Sequence, residues 1–249
     1  MTDLSYASRV FERHFSRVEF PRKNSEFVTL ELGPGDSLLS ALIAKSLGAS
    51  QSYLIDSGDY AISDGKFYQD MVNTLAIGPV TDCKNVPITD RESFLNACNA
   101  TYLTSGVRSF AEISDASVDF IFSQAVLEHI RHAEFNECIK QMRRVLRNDG
   151  VCSHRVDLRD HLGGALNNLR FPSQLWEREF VAKSGFYTNR LSYSDMLELF
   201  RRNGFTTEVV EINRWPRAPT PRQKLATEFR ARAEEDLLIS GFDVLLRPN

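Results

Sequence analysis

Two glycines, a trailing aspartate and a scatter of histidines carry most of the chemistry that this sequence can perform. In Glu31-Leu32-Gly33-Pro34-Gly35-Asp36-Ser37, Gly33 and Gly35 allow a sharp backbone turn and let a ligand approach where a Cβ would block it. Asp56 lies 21 positions beyond Gly35, at the end of the next apolar run, where a carboxylate can accept both hydroxyls of a ribose. Glu31 closes the first run beside the same crevice. Leu38 stands where a full GxGxxG fingerprint has its third glycine, so the helix-end cradle for a diphosphate is incomplete. A nucleoside ligand without a diphosphate fits this turn better than a dinucleotide.

A hydroxyl that attacks an electrophile needs a base, and histidine suits neutral pH best. His154, Asp157 and His161 are the candidates, with either histidine as base and Asp157 as its orienting carboxylate. In strand alternation His154 and Val156 share a face and Asp157 takes the other, so the strand must end or bend for the three to converge. The competing reading makes them polar residues that stitch an insertion to the sheet. His14, on the first helix, reads as a surface residue. Glu128, His129 and His132 do not share one helical face, and no fourth ligand is near, so no metal site is expected. Phe171, Trp176, Phe180, Phe186 and Tyr187 either cover a sugar-like acceptor or form a satellite core. Asn189 and Arg190 add polar reach toward a hydroxylated or anionic acceptor.

These residues need a scaffold of alternating strands and helices. Phe27–Leu32, a helix over 38–47 ending at Gly48, and Ser52–Ile55 make a βαβ unit with parallel strands. Further strands are expected at 101–103, 118–123, 151–156, 206–212 and 238–246. Helices are expected over 135–147 and over 192–203, the latter capped by Ser192 and Gly204. The whole reads as one doubly wound, Rossmann-like α/β domain over 26–249, preceded by an N-terminal helical segment over 1–25. Its sheet is mostly parallel and seven-stranded, with a late antiparallel strand, and residues 158–190 form an acceptor-side insertion after strand five.

Composition narrows the class. The chain has 249 residues, 42% of them hydrophobic, which is enough for a sizeable core. A net charge of -3 gives no electrostatic footprint for nucleic acid, and the basic stretch 214–232 runs straight into Glu234, Glu235 and Asp236. Four isolated cysteines suit reduced thiols in the cytoplasm, and no apolar run approaches the ~20 residues that span a bilayer.

The motifs together resemble the class I S-adenosylmethionine-dependent methyltransferases, in their small-molecule branch. ELGPGDS is similar to the family's first motif, YLIDSGD to the acidic end of strand two, and SVDFIFSQAVLEHI to the fourth-strand segment. FNECIKQMRRVLRNDGVCSHRVDL and SYSDMLELFRRNGFTTEVVEI are similar to later elements, so the likeness covers roughly residues 26–212. It implies S-adenosylmethionine as cofactor, with Glu31, Gly33 and Gly35 along the methionine part and Asp56 on the ribose. It also implies Gly106 and Val107 beside adenine, and Ser123 and Gln124 facing the sulfonium. Ser37, where many members have glycine, and TSGVRSF, without the usual acidic residue, depart from the pattern.

The stretch 152–190 is similar, less specifically, to members encoded among bacterial glycan genes. The expected activity is therefore methyl transfer to a small polar acceptor, first a sugar hydroxyl or glycan intermediate, with Trp176, Tyr187, Asn189 and Arg190 on the acceptor side. Alternatives are N- or carboxyl-methylation of a small metabolite, or a non-catalytic relative that binds partners.

Overall fold

In a computed structural model of the protein, residues 3–75, 83 and 86–249 are described. The elements run α1 (Leu4–Phe15), β1 (Phe27–Leu32), α2 (Leu39–Ser46), β2 (Ala49–Ile55), α3 (Gly65–Thr74), α4 (Arg91–Cys98), β3 (Ala100–Leu103) and β4 (Val118–Gln124). They continue with α5 (His132–Val145), β5 (Leu146–Asp157), α6 (Ser173–Trp176), α7 (Glu179–Ala182), α8 (Tyr193–Arg202), β6 (Phe205–Arg214), α9 (Glu234–Leu238) and β7 (Ile239–Pro248). The strands form one sheet in the order β3-β2-β1-β4-β5-β7-β6. Strand pairs β1–β2, β1–β4 and β2–β3 are parallel. Strand order reverses between β1 and β4, so their carboxyl ends open a crevice at the switch point. Late in the sheet β6 and β7 run antiparallel: Thr206 Oγ1 reaches Arg247 O and Trp215 N–H reaches Leu238 O.

The chain divides into two compact units, one of residues 1–124, 141–153 and 248, the other of 125–140, 154–247 and 249. In the first, α1 is packed onto the sheet by rings. Phe11 meets Phe122 edge-on at 5.2 Å, Phe15 meets Phe27 at 5.3 Å, and Phe120 stacks on Phe122 at 5.4 Å. Such pairs contribute about 0.5–1.5 kcal/mol each beyond area burial. His14 sits inside this packing at 1% exposure, bonded through Nδ1 to Ser153 Oγ and through Nε2 to Gln124 Oε1. Its expected surface position is wrong, because the buried stripe of α1 is wide enough to include it.

In the second unit Phe135 packs near Phe200, and Leu166, Leu169, Leu225 and Leu237 form a small core. Helix α8 starts with the capping box expected at Ser192, completed by Asp195. The fifth strand begins at Leu146, five residues before the expected Val151. Asn148-Asp149-Gly150 therefore lies within the strand.

The end of β5 is positioned by a glycine of β7. A Cβ at Gly241 would lie 2.7 Å from Val156 O and 3.7 Å from Asp157 Cα. Gly241→Ala should therefore cost ~1–3 kcal/mol, the usual range for overpacking. Urea unfolding followed by circular dichroism reads this as a lowered midpoint, and an unchanged midpoint would contradict the close approach.

Candidate active site

At the crevice of the first unit, the loops after β1, β2 and β3 are tied to one another through Asp56. Its backbone N–H donates to Leu103 O at 2.9 Å, and its carbonyl accepts from Gly106 N–H at 2.8 Å. Its carboxylate accepts from Gly35 N–H at 3.1 Å and Ser57 N–H at 2.7 Å, one on each oxygen. Oδ2 keeps a further lone pair for a ribose hydroxyl, while Oδ1 also receives Ser57 Oγ at 3.5 Å, a long contact that a second hydroxyl would displace. Burial raises the Asp56 pKa while the bonds from Ser57 and Gly35 oppose the rise. Gly33 and Gly35 hold φ of 67° and 71°, so the turn needs the left-handed conformation that glycine adopts freely. Gly106 and Val107 lie half-buried in the loop after β3.

Two braces that the sequence reading missed steady the loop after Asp56. Tyr102 O–H donates to Gly58 O, and Arg91 grips Asp59 and the Ala61 carbonyl. No local motif signals these partners, which are 30–44 residues apart.

Glu31 ends β1 beneath α1, in a cleft of about 270 Å³ including its open mouth, lined also by Val10, Phe11, Pro34 and Phe122. Burial pushes its pKa to about 7, against a hydrogen bond from Ser40, and the nearby Asp56 charge adds to the rise. A ligand ammonium would favour the ionised form of this carboxyl. Ser123 is wholly buried at the end of β4, and the Gln124 side-chain oxygen meets His14.

The second unit gathers a different set of groups. Directly after β4, Ala125 takes φ of 54°, a conformation that costs a non-glycine residue ~1–3 kcal/mol. The turn Leu127–His129 follows. His129 Nδ1 lies 2.8 Å from Tyr187 O; a carbonyl only accepts, so Nδ1 carries the proton and Nε2 of the neutral ring is a lone-pair acceptor. The ring meets His161 edge-on at 4.9 Å. Desolvation, joined by the nearby His161, holds the His129 pKa below its ordinary value, though the Tyr187 carbonyl and the Asp157 charge work the other way. Beside it Glu128 is buried, with Oε1 accepting from Asp157 N–H at 3.2 Å and Oε2 without a partner. Burial pushes its pKa to about 8.

The expected constellation of His154, Asp157 and His161 therefore does not form as read. His154 is wholly buried, while His161 is exposed in the following loop. Burial works to raise the Asp157 pKa, but two-pronged bonds from Arg159 carry it downward, and Asp157 orients no imidazole. Arginine, two residues along, offers a planar fork that a carboxylate prefers.

The acceptor-side residues are corrected similarly. Trp176, Tyr187, Asn189 and Arg190 are all buried, and Trp176, Val181 and Tyr187 form a satellite core. Asn189 Nδ2 donates to Leu127 O and Ile130 O, Arg190 donates to Phe171 O, and Trp176 Nε1 donates to Thr188 O. These side chains hold the backbone that carries His129. The exposed aromatics are their neighbours, Phe171, Phe180 and Phe186, each more than a third exposed. Among the described residues no three His, Cys, Asp or Glu side chains cluster as metal ligands.

A family model described as "Methyltransferase domain" matches residues 30–153. An S-adenosylmethionine-dependent methyltransferase of Methanosarcina mazei has a similar structure, with a TM-score of 0.54, 15% identity, and coverage of 90% of this chain and 92% of that one. The YcgJ protein of Bacillus subtilis gives 0.53 at 13% identity, covering 98% and 99%. An S-adenosylmethionine-dependent methyltransferase of Mesorhizobium loti gives 0.51 at 14% identity, covering 98% and 100%. No curated protein matches the sequence.

The buried carboxyl of Glu128 makes stability depend on pH. Its pKa rises from 4.5 to about 8 on folding, so its contribution is complete below pH 4.5 and is lost as pH rises toward 8. The full shift corresponds to an upper bound of ~4–5 kcal/mol. Glu128→Gln should flatten the decline between pH 5 and 8.5 in chemical denaturation. Parallel curves for the two proteins would contradict the buried neutral acid.

Proposed function

We propose that this chain, which belongs to the class I S-adenosylmethionine-dependent methyltransferases, methylates a hydroxyl of a small polar acceptor, a sugar or glycan intermediate first. The activity and the cofactor follow from the family; the acceptor class and the residue roles are our reading. One observation carries it: His129 is tied through Nδ1 so that Nε2 is left as a neutral acceptor. An alcohol must lose a proton as it attacks, whereas an amine that arrives neutral needs no base at that stage.

The bound cofactor supplies an electrophilic methyl on a sulfonium. The protein supplies alignment, since an in-line displacement depends mainly on holding its partners in register. Glu31 would face the amino group of the methionine part, Gly33 and Gly35 would let its backbone pass, and Asp56 would hold the ribose hydroxyls. Gly106 and Val107 would border the adenine. Ser123 is sealed, so we assign it to shaping the floor; Gln124 would fix α1 through His14. His129 would take the acceptor proton at Nε2, and the Tyr187 carbonyl would stabilise the resulting imidazolium through Nδ1–H. His161 would stand as its ring neighbour. Trp176, Asn189 and Arg190 act as positioning residues, while Phe186, next to Tyr187, offers an apolar ring face suited to a saccharide.

The acidic balance of the chain speaks for a small acceptor rather than nucleic acid. Four buried cysteines outside any disulfide suit a cytoplasmic setting, with burial pushing Cys138 up to about 12.

Asp56→Ala should weaken S-adenosylhomocysteine binding by ~1–3 kcal/mol in calorimetry, because the ribose hydroxyls lose their acceptor. Unchanged affinity would remove Asp56 from the cofactor site.

Sugars, amines and carboxylic acids can be screened by release of S-adenosylhomocysteine, with His129→Gln measured alongside. On a hydroxyl acceptor the variant should lose ~10²–10⁴-fold in kcat with cofactor affinity intact. The wild-type acid limb of kcat should fall below the ordinary histidine value of ~6.5, because the lowered pKa keeps the ring neutral to lower pH. Turnover of amines alone, with His129→Gln at full kcat, would overturn the hydroxyl reading.

A further inference from the structure

Strand β6 ends the sheet, with β7 as its only strand neighbour among the described residues. Ser240 O of β7 accepts from Leu158 N–H, just past β5, and Asn249 N–H donates to Gly204 O, so in regular alternation the odd-numbered backbone of β7 and the even-numbered backbone of β6 face each other. Residues 205, 207, 209, 211 and 213 then present N–H and C=O groups at the open edge. The side chains of the even-numbered residues make the bare face of the strand. Val210 is 42% exposed and Ile212 36%, with Glu208 and Arg214 exposed on either side. Thr207, Val209, Glu211 and Asn213 take the half-buried face. A ten-residue edge with paired β-branched side chains in the open is an invitation to another strand.

We propose that β6 pairs antiparallel with β6 of a second copy of this chain, about a two-fold axis on Glu211. The occupant follows from the charge pattern. When two identical antiparallel edges pair, opposed residues share a face, so the axis must fall on a residue. Centred on Glu211, Val210 meets Ile212 and Glu208 meets Arg214, each twice. Centred on 209, Glu208 meets Val210; on 210, it meets Ile212; on 212, Arg214 meets Val210. One register therefore pairs opposite charges and apolar side chains, and the neighbouring registers set a charge against an apolar group.

In that register Glu211 exchanges backbone hydrogen bonds with its own copy, and 209 with 213, across the edge. Glu211 then faces its own copy on the other face, a like-charge contact that weakens the pair. Asn213 already donates to Glu211 within the strand, which tempers that repulsion. Arg214 uses Nη2 on Glu235, leaving its other donors for the second copy.

Sedimentation equilibrium of the full chain, from low to high micromolar, tests the pairing. The wild type should move from monomer to dimer. Glu208→Arg or Arg214→Glu alone should each weaken association by about tenfold or more, and the two together should restore it. Val209→Pro removes an edge N–H without touching the β6–β7 ladder and should abolish the dimer at an unchanged circular dichroism spectrum. Glu211→Gln should tighten association. A monomer at every concentration overturns the proposal. So does a dimer that ignores Val209→Pro, or charge swaps that fail to rescue one another.

Discussion

Asp56 is the constraint on which the cofactor crevice depends. Its peptide N–H and carbonyl fasten the loop after β3, and its carboxylate fastens the turn after β1 and the start of its own loop. A side chain that accepts two backbone N–H groups is fixed before any ligand arrives, so the acceptors we assign to the ribose are preorganised rather than assembled on binding. Parallel pairing at the switch point places these loops at one end of the sheet, and the glycine turn keeps Cβ atoms out of the way. The same geometry explains why Glu31 is costly: a carboxyl buried beside another carboxylate sits near neutrality in its pKa until a cation comes to it.

The second unit applies a comparable logic to the ring that we propose as base. A main-chain carbonyl selects the tautomer of His129, and the residues that present that carbonyl are locked by a buried web of Trp176, Tyr187, Asn189 and Arg190. Backbone anchors of this kind fix a ring without adding a second titrating group to the base. The strained Ala125 and Arg190, both at positive φ, mark where the chain is bent to bring this about.

The crevice was legible in the sequence because its parts lie in short runs at strand ends: ELGPG, the aspartate of YLID, and the loop after the third strand all stand where strand–loop–helix alternation places them. The βαβ order and the cap at Ser192 are local events as well, whereas α3 and α4, the latter capped by Asp90, carry no pattern strong enough to be singled out. The surroundings of His129, our proposed base, were not legible. Histidine, aspartate and histidine within eight residues suggested a unit, but the decisive partners are non-local. Tyr187 reaches back 58 residues to His129, while Asp157 turns to an arginine two residues away. His14 misled for a related reason: a charged-looking helix face gives no hint that Ser153 waits 139 residues on.

The account stands or falls on whether the loops joined through Asp56 respond to the cofactor as one site. Titrating S-adenosylhomocysteine into ¹⁵N-labelled protein and following backbone amides tests this directly. The amides of Gly33, Gly35, Ser57 and Gly106 should shift along a common saturation curve, while those of β6 stay in place. Shifts confined to other loops, or different affinities at Gly35 and Gly106, would contradict a single crevice organised by Asp56.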